Sequence, residues 1–243
     1  MTSIKAITDV GLVREQNEDA FVIEENQLGH RLLLVADGMG GHNAGEIASH
    51  MVCQIISEEF NKITEKIDYK KFIEKVIVLA NQKVYKESLL NTMYSKMGTT
   101  TTLVIYDNEK IYTGHVGDSR IYFIDNSQIR QLTKDHTLVQ AMVDTGTLKP
   151  EEVEFSKLKN VLIQALGTSK NITIEIKEIK LPKKFSILIC SDGLTGPVKD
   201  NEIMSIMNLQ LSLEERLEQL VKCANDLDGG DNVTVVVMEN RGE

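Results

Sequence analysis

The 243-residue sequence predicts an α+β fold, a sandwich of two antiparallel β-sheets with helices covering the outer faces. Three observations predict it. Between Thr99 and Leu132, four short strand-like runs are joined by tight polar turns, among them Asp107-Asn108 and Asp125-Asn126, as antiparallel pairing requires. Long stretches with apolar residues at helical spacing are inserted before and after that series. Ile172 to Ile179 alternates apolar with polar residues, the mark of a half-buried strand.

In chain order, Ser3 to Thr8 alternates and reads as a first strand. Gly11 to Asp19 is a charged polar turn, and Ala20 to Glu24 a second strand, paired with the apolar run Leu32 to Ala36 that ends at Asp37. A helix is expected from Ala44 to about Phe60, with Ile47, Met51, Val52, Ile55 and Phe60 in phase. Another is expected from about Tyr69 to Tyr94, with Phe72, Ile73, Val76, Ile77, Ala80 and Val84 on one face. The strand series runs Thr99–Tyr106, Lys110–Val116, Ile121–Ile124 and Gln128–Leu132. Thr137-x-x-Gln140 has the spacing of a capping box for a helix through Val143. Asp144 to Asn160 is irregular and reads as a mobile surface excursion. Ser186 to Cys190 is a buried strand, Asp200 a cap for a short helix, and Ser212-x-x-Glu215 the start of another helix. Val233 to Met238 closes the chain as an apolar strand.

Composition bounds the function. A formal net charge of −9 argues against nucleic acid and against an anionic membrane surface. No run reaches membrane-span length and the N-terminal residues lack a secretory apolar core, so a cytoplasmic protein without membrane insertion is expected. The 3 cysteines show no metal or disulfide spacing and read as reduced thiols, Cys190 within a core strand. With 3 prolines, no linker and no repeats, one domain over residues 1–243 is expected.

The organising stretch is Leu32 to Gly45. A buried strand delivers Asp37 to its end, and four glycines fall among the next eight residues before the helix. One Asp-Gly is ordinarily a turn, but this arrangement returns at Asp192-Gly193, again after an apolar run. Asp37, Asp118 and Asp192 each follow a strand, and Asp231 precedes one. In antiparallel sheets the start of one strand lies beside the end of its neighbour, so all four can meet at one edge of the sheet sandwich, with Glu18 and Asp19 close by. Clustered carboxylates repel and need cations, and oxygen-only donors select hard divalent ions, Mg²⁺ or Mn²⁺ with Ca²⁺ as a further candidate, over zinc. Two such ions ~3.5–4 Å apart can deprotonate a water for in-line attack on phosphorus. Arg14, alone usually a solvated surface residue, is the natural phosphate partner beside them. His42, in the glycine turn, can shuttle a proton or simply brace the loop. His115 and His136 read as structural, and Asp135 as a cap or turn residue.

Seven stretches then carry a family resemblance. They are Gly11-x-x-Arg14-x-x-Asn17-Glu18-Asp19, Val35 to His42, Met97-Gly98-Thr99-Thr100, Val116 to Arg120, Leu132 to Thr137, Cys190 to Leu194 and Gly229 to Thr234. In that order they resemble the metal-dependent Ser/Thr protein phosphatases, the type-2C or PPM family, in its compact bacterial form. The resemblance implies hydrolysis of phosphoserine and phosphothreonine in proteins, two core Mn²⁺ or Mg²⁺ ions and a third. It implies that Asp37 bridges two ions with the Gly38 carbonyl on one, and that Asp192 and Asp231 hold the other. Asp118 with Asp192 would hold the third, Glu18 and Asp19 would act through ion-held water, and Arg14 would grip the phosphoryl group. The excursion from about 144 to 160 falls where the family has its flap. Phosphorylated proteins are the implied substrates, a Ser/Thr kinase the implied partner, and a monomer the expected state. Signal transduction is the implied setting.

The chain departs from the family at two places. Met39 stands where animal members have a histidine acid, which leaves His42 or an ion-held water to protonate the leaving oxygen. Phe155-Ser156-Lys157 and Gln164 stand where bacterial relatives often have His-Pro and a basic residue. Among rival readings, a cysteine phosphatase fails because none of Cys53, Cys190 or Cys223 has an arginine six residues on. A dinucleotide site at Gly38-x-Gly40 lacks its third glycine and would set Asp37 against a pyrophosphate. A metal-binding pseudophosphatase that recognises phosphoproteins without turnover is the alternative from another class.

Overall fold

The computed structural model describes residues 2–40, 44–90, 92–94 and 96–242. The strands in chain order are β1 (Ser3–Asp9), β2 (Asp19–Glu25), β3 (Arg31–Met39), β4 (Gly98–Thr99), β5 (Thr101–Tyr106) and β6 (Lys110–Val116). They continue with β7 (Arg120–Ile124), β8 (Ile129–Gln131), β9 (Glu175–Lys180), β10 (Phe185–Cys190) and β11 (Val233–Asn240). One sheet has the order β1-β11-β10-β7-β8; the other has β2-β3-β5-β6-β9, with β4 added to β3. Every pairing is antiparallel. The helices are α1 (Ala44–Asn61), α2 (Tyr69–Leu90), α3 (Leu138–Asp144), α4 (Asp192–Thr195), α5 (Asp200–Met207) and α6 (Leu213–Leu227).

The period of two along each strand sorts its side chains between layers. Leu33 and Val35 of β3 face inward, where they meet Val104, Ile121, Phe123, Ile187, Ile189, Val236 and Met238 between the sheets. Leu32, Leu34 and Ala36 face outward onto Ala48, Val52 and Ile56 of α1 and Ile73, Ile77 and Val84 of α2. On the other sheet, Leu188, Cys190, Val235 and Val237 face Ile203 of α5 and Leu217, Leu220 and Ala224 of α6. The layers therefore run helix, sheet, sheet, helix, as the sequence predicts. Strands buried on both faces also explain why β3 and β10 read as unbroken apolar runs. Among the described residues, no helix is long and apolar enough to cross a membrane.

Local expectations hold with corrections. The helix expected over 69–94 ends at Leu90, and Thr92–Tyr94 forms a separate 3-10 turn. The strand expected from Thr99 is interrupted at Thr100, whose amide and hydroxyl both turn to the Asp37 backbone. The strand expected from Ile172 begins at Glu175, where pairing with His115 starts. Thr137 caps α3 by accepting the Gln140 amide, but the Gln140 side chain reaches forward to Asp144, so the box is half formed. Ser212 and Glu215 form a complete box on α6. Asp200 is not a cap. Lys199 holds that position, its amide bonded to Glu202, and the Asp200 carboxylate accepts from the Tyr122 hydroxyl instead. Residues 144–160 contain a 3-10 helix, Pro150–Phe155, which Glu154 ties to Lys199 at 3.0 Å.

Candidate metal and phosphate site

The site is built from strand ends. Asp37 lies near the end of β3, directly across from Asp19 at the start of β2. Its backbone is clamped: its amide donates to Thr100 Oγ1 at 2.9 Å, and its carbonyl accepts the Thr100 amide at 2.8 Å and the Thr99 hydroxyl at 2.9 Å. The Thr100 hydroxyl passes on to Ser119 at 2.7 Å, which links this clamp to the turn bearing Asp118. Asp192 opens α4 just after β10, and Asp231 stands two residues before β11. Gly38 fits because it has no side chain; a Cβ there would lie 2.2 Å from the Gly45 carbonyl oxygen and 2.5 Å from that of Glu18.

The carboxylates crowd one another. Burial raises the pKa of Asp37 well above the carboxylate range, and Asp19, Asp192 and Asp118 add to it. Burial first, then Asp192 and Asp135, push Asp118 up to about 8. Burial pushes Asp19 up to about 7 against the hydrogen bond that Ser191 Oγ donates to it at 2.7 Å. Asp192 is raised by burial and by Asp231, and its carboxyl shares a hydrogen bond with that of Asp37. Such a group keeps its charges near neutral pH only if cations replace the protons. The donors are all oxygen, so a hard divalent ion fits this set.

Asp118, Asp192 and Asp231 open onto a cavity of about 900 Å³ whose far wall includes Pro150, Glu154 and Lys159. Arg14 is held on Asp231 of that lining. Its Nη2 donates to Asp231 Oδ2 at 2.9 Å and its Nε to the Gly230 carbonyl at 3.3 Å, with about half of its side chain exposed. The Glu18 carboxylate lies at the N-terminus of α1, where burial raises its pKa and the Gly45 and Glu46 amides oppose the rise. The structure thus brings together Arg14, Glu18, Asp19, Asp37, Gly38, Asp118, Asp192 and Asp231. His42 lies outside the described residues.

Several partners were not legible as site residues. Asp135 is no cap: it grips Arg120 through three hydrogen bonds of 2.6–3.1 Å in the cavity wall. A lone arginine directly after Asp118-Ser119 was the available signal. Ser191, Thr100 and Asn232 lie within the stretches that carry the family resemblance, but small polar residues in turns are common and nothing local assigned them a partner. The His115 and His136 rings lie 4.9 Å apart, tilted by 43°, with His136 bonded to the Gly117 backbone. Both ring nitrogens of His115 are engaged, by Thr102 and the Lys134 carbonyl, as suits a structural residue. Burial pushes the Cys53 and Cys190 thiols up to about 12, which excludes either as a nucleophile near neutral pH.

A two-sheet sandwich with an acidic edge of this kind has known counterparts. The family model described as protein phosphatase 2C matches residues 13–229. The chain is 34% identical to serine/threonine phosphatase stp of Listeria welshimeri, over 96% of this chain and 93% of the relative. It is 35% identical to protein phosphatase PhpP of Streptococcus pneumoniae, over 99% and 98%. The crystal structure of serine/threonine phosphatase Stp1 from Staphylococcus aureus superposes with a TM-score of 0.95 at 34% identity, over 100% of this chain and 96% of that one. The catalytic domain of PstP in complex with two manganese ions superposes with a TM-score of 0.86 at 32% identity, over 99% of each chain. The chain belongs to the protein phosphatase 2C family. It is a hydrolase, a protein phosphatase.

Proposed function

We propose that the protein hydrolyses phosphoserine and phosphothreonine in proteins by direct attack of water on phosphorus, with no phosphoenzyme. The observation that carries this reading is the convergence of Asp37, Asp118, Asp192 and Asp231, from both sheets, at one end of the sandwich, with Arg14 on Asp231. The serine/threonine phosphatase names of the Listeria and Staphylococcus relatives support the substrate class.

Asp37, the Gly38 carbonyl, Asp192 and Asp231 would hold a pair of Mn²⁺ or Mg²⁺ ions, and Asp118 with Asp192 a third. When bound, the ions supply a water deprotonated near neutral pH as the nucleophile. The chain's residues do the rest. Arg14 presents a planar fork to the phosphoryl oxygens, bidentate once it turns from Asp231. Asp19 and Glu18 accept hydrogen bonds from the water layer and orient it. Met39 has no proton to give, so His42 is the side chain placed by sequence to protonate the leaving serine or threonine oxygen. Residues 144–160 would act as a flap over the cavity. A cytoplasmic monomer that reverses a Ser/Thr kinase in signal transduction completes the reading. A non-catalytic phosphoprotein binder is disfavoured, because all four aspartates are kept and clustered.

The test is Mn²⁺-dependent hydrolysis of p-nitrophenyl phosphate and of a phosphothreonine peptide. Both activities are expected to be abolished in Asp37→Ala and in Asp192→Ala. Manganese binding without turnover on either substrate in the unaltered protein would favour the binder instead.

A further inference from the structure

We propose that Asn232 is the positioning residue of the phosphate grip, holding the loop that carries Arg14 in register with Asp231. The inference rests on the phosphatase reading of the site. The loop from Val10 to Glu18 leaves β1 and enters β2 with little apolar anchorage, since Leu12 and Val13 are about 70% exposed. Its hold on the body of the protein is polar, and Asn232 supplies the centre of it. Asn232 Oδ1 accepts the Glu18 amide at 2.8 Å. Its Nδ2 donates both hydrogens, one to the Val10 carbonyl and one to the Gln16 carbonyl, each at 2.9 Å. The side chain is only 4% exposed, so no water stands ready to replace these bonds.

One amide thus sews together both ends of the loop. The same residue also fixes the other half of the grip: its backbone N–H donates to Asp231 Oδ1 at 2.9 Å, while Asp231 Oδ2 receives Arg14. Supporting contacts are the Leu12 amide on the Gly229 carbonyl at 2.8 Å and the close approach of Gly11. A Cβ on Gly11, whose φ is +79°, would lie 2.3 Å from the Asp231 carbonyl oxygen, so the loop presses directly onto the turn that holds Asp231. Removing the Asn232 side chain leaves three backbone groups without partners and frees the loop to carry Arg14 away from the phosphate.

The first readout needs neither metal nor activity. Hydrogen exchange in metal-free protein should show the Glu18 amide and its loop neighbours exchanging about tenfold faster or more in Asn232→Ala. In the Mn²⁺-loaded enzyme, Asn232→Ala should raise KM for p-nitrophenyl phosphate about tenfold, with a smaller change in kcat. In an Arg14→Ala background the same substitution should change KM less than about twofold, because the grip it positions is gone. Unchanged loop exchange, or an equal KM effect with and without Arg14, would overturn the proposal. Should Asn232→Ala lose its fold by circular dichroism, Gly11→Ala displaces the same loop and must show the same dependence on Arg14; independence there overturns the proposal as well. If the unaltered enzyme hydrolyses no phosphoester, the phosphatase reading fails, while the exchange data still decide whether Asn232 holds the loop.

Discussion

Arg14 shows how one residue links two halves of a site. Its guanidinium rests on Asp231, with both side chains roughly 40–50% exposed, so the pair itself contributes little to stability. On the proposed reading its value lies in position, since a phosphate drawn to ions held by Asp192 and Asp231 would meet the same fork. Arg14→Ala should raise KM for phosphopeptides about tenfold or more while manganese affinity, measured by calorimetry, changes far less. Collapse of metal binding with KM unchanged would assign Arg14 to the metal site instead. His42 is separable by leaving group. His42→Ala should lower kcat for a phosphoserine peptide by about 10²-fold and leave p-nitrophenyl phosphate nearly untouched, because nitrophenolate departs without a proton. Equal losses on both substrates would remove His42 as the acid and leave a water in that role.

At the scale of elements, β11 joins the site to the helical layer. Its first residues follow Asp231 and Asn232, and its far end carries Glu239, which is 7% exposed. Glu239 takes two bonds from Arg216 of α6, at 3.0 and 2.7 Å, and a third from Arg241 at 3.0 Å. Burial opposes the charge on Glu239, but Arg216 and Arg241 outweigh it and hold its pKa below the usual value. Glu239→Gln would leave Arg216, 2% exposed, as a buried cation with no carboxylate. The expected cost is about 3–5 kcal/mol in urea unfolding, with the metal site unchanged until the protein unfolds. A loss below about 1 kcal/mol would show that the pair relaxes into solvent.

For the molecule as a whole, the acidic edge sets the pH response. Burial, with neighbouring carboxylates, pushes Asp118 up to about 8 and Asp19 up to about 7, above a free carboxylate, so the metal-free folded state binds more protons than the unfolded state between about pH 4 and 8. Their contribution to stability is present at low pH and is lost as pH rises through these values. The melting temperature of chelator-treated protein should therefore fall between pH 6 and pH 9, and added Mn²⁺ should restore it more strongly at the higher pH. A metal-free protein equally stable at both values would show that the carboxylates are not crowded as described.

The sequence by itself determined the layers and most of the elements, and it named the acidic residues that the fold brings together. Apolar runs, glycine turns and helical spacing act over a few residues, and those are what a single chain displays. It also showed Asp37 and Asp192 at strand ends, where antiparallel pairing brings carboxylates together. Only the tertiary structure decided which small polar groups serve that edge. Asn232 meets Val10 and Glu18 across more than 200 residues, and Thr100 meets Asp37 across 63, so no local pattern marks either contact. Asp135 read as a cap or turn residue for a related reason: its partner Arg120 opens β7, on the far side of the β7–β8 hairpin, and the pairing exists only once β7 and β8 are folded together. Short-range pattern fixes backbone conformation, whereas a hydrogen bond between distant residues depends on the packed sheets that bring its ends within 3 Å.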